Sequence, residues 1–289
     1  MAKTILARQP DGTIQLTITI DKGLIQKSFS EFLAEAIQKV EVSGFRKGKA
    51  PKKLAEEKID KNKIYELIIQ ELVPEAYLAA VKENQLKPII SPKIELLKAK
   101  ENEDWEIRAT TAEAPKIELN DYREIVRKAL APAKLWTPEK GEKPDSEKKT
   151  EATQEEKIQK TIEILLKNFS FSLPQVIVED ELNRSLTNLL NQVNSLGMTV
   201  EQYLQSSGKT SSQLREEYQS KIEGELRLLF ILSEIANREK IKISDQEIES
   251  LAKASGDEKL SRQLSDPLQK EYLKGILARR KALETLASL

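Results

Sequence analysis

The first clear pattern along the chain is an alternation. In TIQLTITI (residues 13–20), Ile14, Leu16, Ile18 and Ile20 fall on one side, and Thr13, Gln15, Thr17 and Thr19 on the other. That period of two predicts a half-buried strand. The period then lengthens. Leu24, Phe29, Phe32, Leu33, Ala36, Ile37 and Val40 recur near helical spacing across 22–42, which predicts a helix closing before Gly44. Gly44 to Pro51 holds two glycines and a proline in eight residues and is expected to be a loop. A short helical turn suits 52–58. A longer helix over 61–83 carries Ile64, Leu67, Ile68, Leu72, Tyr77 and Val81 along one side, with Pro74 expected to kink or split it. Pro88 and Pro92 mark a turn before strands at 94–97 and 105–109, with Asn102 and Asp104 at the hairpin tip. Residues 1–115 therefore predict an α+β unit whose helices are inserted between its first strand and its last two.

Beyond this unit the pattern fades. Residues 116–127 read as an extended crossing segment. From Ala131 the chain turns rich in proline, lysine and glutamate (PAKLWTPEKGEKPDSEKKTEAT), too poor in apolar residues to bury a core. The whole of 116–153 is thus expected to be an extended segment and charged linker, with Trp136 as its one anchor. Residues 154–289 predict an all-α domain, with helices near 154–168, 174–196, 199–206, 210–239, 244–254 and 266–287. Pro174 suits a first helical turn. Ser244 and Glu247 form a capping-box pattern, and Gly197 and Gly256 suit helix stops.

Composition narrows the chemistry. Of 289 residues, 39% are hydrophobic and 33% charged, with a mean hydropathy of −0.50. No window approaches the ~18 apolar residues of a membrane span. MAKTILARQPDGT has no apolar run or small-residue cleavage site, so no secretory signal is expected and a cytoplasmic location follows. The chain has no cysteine and no histidine. Disulfides, thiolate nucleophiles, Cys/His metal sites and imidazole bases are excluded, which leaves open only a carboxylate-only metal site or a carboxylate pair; no catalytic residue, metal site or cofactor is expected. There is no GxxxxGK[ST] stretch for a nucleotide, so action independent of ATP is expected. Forty-seven basic residues balance forty-seven acidic ones, so any contact with nucleic acid must come from a local patch.

One such patch is present. GFRKGKAPKK carries five basic residues from Arg46 to Lys53 and no acid. Gly44 and Gly48 free the backbone, Pro51 stiffens the exit, and Phe45 is a large apolar group beside Arg46, Lys47 and Lys49. Two readings fit this composition. One is a docking finger with an aromatic anchor and cationic flanks suited to phosphate or carboxylate. The other is a solvated lysine-rich loop whose Phe45 turns inward to cap the helices.

Set in its flanks, GFRKGKAP resembles the ribosome-binding loop of the bacterial trigger factor family. The strand at 13–20, KVEVSGFRKGKAP, LVPEAYLAAVKENQLKPI and EAPKIEL fall in that family's order. FSLPQVIVEDELNRSLTNLL, GMTVEQYLQSSG and LREEYQSKIEGELRLLFILSEIANREKIKISDQEI resemble its two-armed helical domain. The resemblance implies an α+β ribosome-binding domain followed by an all-α chaperone domain with protruding arms. It implies docking at the peptide-tunnel exit, on a ribosomal protein and nearby ribosomal RNA, through Gly44, Phe45, Arg46, Lys47, Gly48, Lys49 and Pro51. It implies unfolded nascent polypeptides as clients, no membrane partner, and a homodimer as a state open to the free protein. Helical spacing offers Leu182, Leu186, Met198, Tyr203, Leu204 and Phe230 as client contacts, with Leu189, Leu226 and Ile231 beside them; the same spacing suits ordinary core. Family members also carry a prolyl isomerase domain of the FK506-binding type, on the order of a hundred residues. Only about sixty residues separate Pro115 from Pro174, much of them linker, so a form without that domain, and no enzyme activity, is expected. The competing expectations are a divergent prolyl isomerase, a ribosome-independent holdase or assembly chaperone, and a periplasmic chaperone, which would need a signal peptide.

Overall fold

The computed structural model describes residues 3–45, 51–131, 153–255 and 266–289. They form two compact units, 1–114 with Pro174–Ile177, and 115–173 with 178–289.

The first unit is built on a four-stranded antiparallel sheet. Its strands are β1 (Lys3–Arg8), β2 (Thr13–Ile20), β3 (Lys93–Lys98) and β4 (Trp105–Ala112), in the order β1-β2-β4-β3. The alternation in β2 is decisive for register. Leu16 pairs with Ala109, Ile18 with Ile107 and Ile20 with Trp105, so one face of both central strands is buried together. β1 is a strand the apolar pattern does not announce. Its side chains are mostly exposed. What orders it is the backbone ladder to β2 and a tight turn: Gln9 N–H donates to Thr13 O at 2.8 Å, and the Asp11 carboxylate accepts from the Thr13 N–H and hydroxyl, each at 2.9 Å.

Helices α1 (Lys22–Lys39), α2 (Lys52–Lys58) and α3 (Lys61–Glu83) interrupt the sheet between β2 and β3. Asp21 caps α1 by accepting from Gly23 N–H, and Lys22 N–H reaches Asp104 on the β3–β4 turn at 2.9 Å. An aromatic chain fixes α1 on α3 and α3 on the sheet: Phe29 to Tyr65 is 5.2 Å between centroids, and Tyr65 to Trp105 is 5.8 Å. α3 runs through Pro74 as one helix, so the proline does not split it. Pro74 is exposed, and so is Gln70, whose carbonyl a residue-74 N–H would have met. Water can serve that carbonyl, while buried Ile64, Ile68, Tyr77 and Ala80 hold the helix on both sides of the proline.

The second unit is helical: α4 (Tyr122–Leu130), α5 (Gln154–Asn168), α6 (Gln175–Ser195), α7 (Val200–Ser207), α8 (Ser211–Arg238), α9 (Asp245–Ser255) and α10 (Pro267–Ala287). α4 corrects the expectation of an extended segment there. It is short and almost half charged, but it puts Val126 wholly inside and lays Tyr122, Ile125 and Leu130 against the core. That core joins α4, α5, α8 and α10 through Leu165, Ile231, Ile235, Ala282 and Leu286. The caps act as their residues require. Thr199, Thr210 and Ser244 each form a reciprocal box with the residue three ahead. Gly197 closes α6 at φ +71°, and Met198 N–H reaches back to Val193 O at 3.2 Å. Gly256 and Trp136 lie outside the described residues.

Candidate functional site

The loop begins where α1 stops. Val40 turns extended, its N–H still bonded to Ala36 O at 2.9 Å. A tight turn follows, with Phe45 N–H donating to Val42 O at 3.0 Å and Gly44 at φ +87°. That conformation favours glycine. An added Cβ at Gly44 would meet nothing within 4 Å, so the requirement there is the backbone's alone. Phe45 is 45% exposed and belongs to neither core. Pro51 marks the far end, its carbonyl accepting from Ala55 N–H at 3.1 Å as α2 starts. Arg46, Lys47, Gly48 and Lys49 lie outside the described residues. Lys52 and Lys53 are exposed, and Lys52 stands 3.7 Å from Glu56, a surface pair of little energetic weight. Leu54 is a residue the sequence reading passed over. It is exposed beside the loop exit because its neighbour Ala55 takes the buried side of α2.

The candidate client residues divide. Leu182 is 1% exposed and sealed inside, where no client reaches it. Leu186 and Tyr203, both half-buried, line a groove of about 260 Å³ between α6, α7 and the start of α8, with Leu189, Leu190, Val193 and Leu214. Met198 and Leu204 are half-buried, and Phe230 is half-buried with its ring edge-on to Phe171 at 6.4 Å. The most exposed apolar residue of this region is Leu196, at 75%, with Leu190 and Val200 also open. Helical periodicity marks all of these as apolar but cannot separate inner from outer. The position of Leu196 just before the Gly197 stop is the one sequence signal that sets it outside.

One carboxylate cluster joins α4 to α8. Glu239, at the end of α8, accepts from the Tyr122 hydroxyl and from Arg123 on α4, and these bonds hold its carboxyl below the usual range. Burial, then the bond to Glu239, pushes the Tyr122 phenol up. Neither group titrates near pH 7, so the cluster is a brace between α4 and α8. Asp180 pairs with Arg184 at 3.0 Å on an exposed helix face. Among the described residues no acidic group clusters to hold a metal ion, and no helix is long and apolar enough to cross a membrane.

Residues 1–134 match the family model described as bacterial trigger factor protein (TF), and residues 139–288 match the model of its C-terminus. The chain belongs to the bacterial trigger factor family. The two matches leave four residues, 135–138, between them, so this member has no room there for a further domain. Trigger factor of Natranaerobius thermophilus is 31% identical over 110 residues, 38% of this chain and 25% of that protein. Trigger factor of Corynebacterium aurimucosum is 32% identical over 129 residues, 45% of this chain and 29% of its own. That of Carboxydothermus hydrogenoformans is 35% identical over 109 residues, 38% and 26% respectively. The chain thus spans between a quarter and a third of these curated relatives' length. A solved structure, from work titled "Promiscuous Substrate Recognition in Folding and Assembly Activities of the Trigger Factor Chaperone", superposes with a TM-score of 0.63 over 99% of both chains at 15% identity. That likeness shows the fold: an α+β domain followed by a helical one.

Proposed function

We propose that this trigger factor family member is an ATP-independent chaperone of the cytoplasm that docks at the ribosomal tunnel exit and shields nascent chains. The observation that carries the proposal is Phe45, held outward after the positive-φ turn at Gly44 in the family's basic loop. An exposed aromatic beside Arg46 and Lys47 suits a surface of ribosomal protein and phosphate. Gly44, Gly48 and Pro51 shape the loop, and Lys49 adds salt-sensitive attraction. Clients meet scattered apolar side chains of the helical unit, among them Leu186, Met198, Tyr203, Leu204 and Phe230, with Leu190 and Leu196 better exposed. Apolar burial is non-directional and suits clients of unrelated sequence.

Ribosome co-sedimentation tests the docking. Wild type should pellet with ribosomes and Phe45→Ala/Arg46→Ala/Lys47→Ala should stay in the supernatant. Equal pelleting of both would refute docking through this loop and favour a ribosome-independent holdase. The proposal also holds that the chain is no prolyl isomerase: a protease-coupled assay should show background rates, and activity above background would overturn that part. A homodimer of the free chain belongs to the same proposal and is read by sedimentation velocity.

A further inference from the structure

The groove between α6, α7 and the start of α8 has a charge as well as an apolar lining. α6 supplies Leu186, Leu189 and Val193 at i, i+3 and i+7, which share one face of that helix. Leu214 adds to them from α8. Val193 and Leu214 are buried while Leu190 and Val200 are exposed, so the lining passes from sealed to open. Among the described residues, Arg215 is the one charged side chain that lines this groove, and it is exposed. No carboxylate lines it. The nearest acids in sequence are engaged elsewhere. Glu217 pairs with Lys209, Glu216 accepts from the Ser212 hydroxyl at 3.4 Å, and Glu201 turns back to its own N–H and the Thr199 hydroxyl. The α6 residues between the apolar ones are Thr187, Asn188, Asn191 and Gln192, all uncharged. Ser211, the first residue of α8, also lines the groove, and a helix start carries partial positive charge of the same sign as Arg215. The groove is apolar inside and positive at its edge.

We propose that this groove selects client segments in which a large apolar side chain lies one or two residues from an aspartate or glutamate. The apolar side chain fills the groove and the carboxylate meets Arg215. The inference rests on the client binding proposed above and names the class of segment that this part of the helical unit takes. An extended segment rises about 3.3 Å per residue, so such a carboxylate falls about 3–7 Å along the chain from the buried side chain. The guanidinium fork matches a carboxylate and repels a lysine or arginine at the same place. Apolar burial supplies the affinity and Arg215 the choice.

Fluorescence anisotropy with three labelled peptides tests the choice on the full chain. The peptides share a central pair of leucines in a glycine and serine frame. They differ only in the residues flanking that pair, which are glutamate, glutamine or lysine. An exposed ion pair contributes about 0.2–1 kcal/mol, so at low salt the glutamate peptide should bind up to about fivefold tighter than the glutamine peptide, and the lysine peptide should bind weakest. One molar salt, with a screening length of about 3 Å, should flatten this ranking. Arg215→Gln should abolish the ranking and keep the affinity for the glutamine peptide, and Arg215→Glu should reverse the ranking. Leu190→Ser should weaken all three peptides alike. A wild type that binds the three equally at low salt, or an Arg215→Gln chain that keeps the full ranking, would overturn the selection. Suppression of client aggregation by the same wild type, read by light scattering, separates the two proposals. Suppression without ranked peptide binding overturns the selection alone, whereas loss of both overturns the client binding with it.

Discussion

Replacing Tyr77 by phenylalanine removes one oxygen from the core of the first unit. Tyr77 is 8% exposed, on the face of α3 that meets the sheet, and its hydroxyl finds no hydrogen-bond partner among the described residues. Leaving a buried hydroxyl unsatisfied costs about 1–3 kcal/mol. Deleting it leaves a void of one oxygen, which costs a few tenths of a kcal/mol at about 24 cal/mol per Å³. The desolvation cost is the larger, so Tyr77→Phe should stabilise this unit by about 1–2 kcal/mol, against the usual destabilisation of about 1 kcal/mol for a point change. Urea unfolding followed by Trp105 emission is the assay, because Trp105 lies in the same core. It is run in a Trp136→Phe background, which leaves Trp105 the sole tryptophan. With a slope of about 1–3 kcal/mol per M, the midpoint should rise by roughly 0.3–2 M. Ile68→Ala, wholly buried beside it, should instead cost about 2–5 kcal/mol. A midpoint that falls with Tyr77→Phe would mean that the hydroxyl is satisfied and would refute the argument.

Gly44→Ala should cost little in overall stability, but strain of about 1–2 kcal/mol at φ +87° should alter the loop and weaken ribosome co-sedimentation. Thr210→Ala removes the box at the start of α8 and should lower the stability of the helical unit by about 1 kcal/mol, read by thermal unfolding. Leu196→Ser, at 75% exposure, should weaken suppression of client aggregation in a light-scattering assay while leaving the melting temperature almost unchanged. The Glu239 carboxyl is held below its unfolded value, so its contribution to stability is present above the usual carboxylate range and is lost as pH falls through the lowered value. Acid unfolding followed at fixed urea should therefore begin at higher pH in Tyr122→Phe than in wild type.

Legibility followed how much each element's order depends on its own residues. β2 repeats its apolar side every second residue and so declares strand, face and register together. β1 has no such repeat, because it is an edge strand with little buried side-chain area; its order comes from β2's backbone and the Asp11 turn. α4 is helical because Val126 and its neighbours find a core made by α5, α8 and α10, which no local window contains. Pro74 does not split α3, because its surroundings are exposed and buried residues on both sides hold the helix. At the candidate site, the glycine at 44 announced the turn that follows α1, whereas the sorting of Leu182 inside and Leu196 outside required the fold.

α8 has a mechanical consequence. Its 28 residues, about 42 Å of helix, pass from Leu214 in the apolar groove to Ile231, Ile235 and Ala236 in the bundle core. One rigid rod is thus anchored at one end and lined with apolar surface at the other. A force applied at the groove arrives at the core as torque on those three side chains. Glycine is among the weakest helix formers, so Gly224, on the open side of α8, is the position where bending is expected to cost least. Stiffness at that residue would set how much of a load applied at the groove is taken up in α8 and how much reaches the bundle.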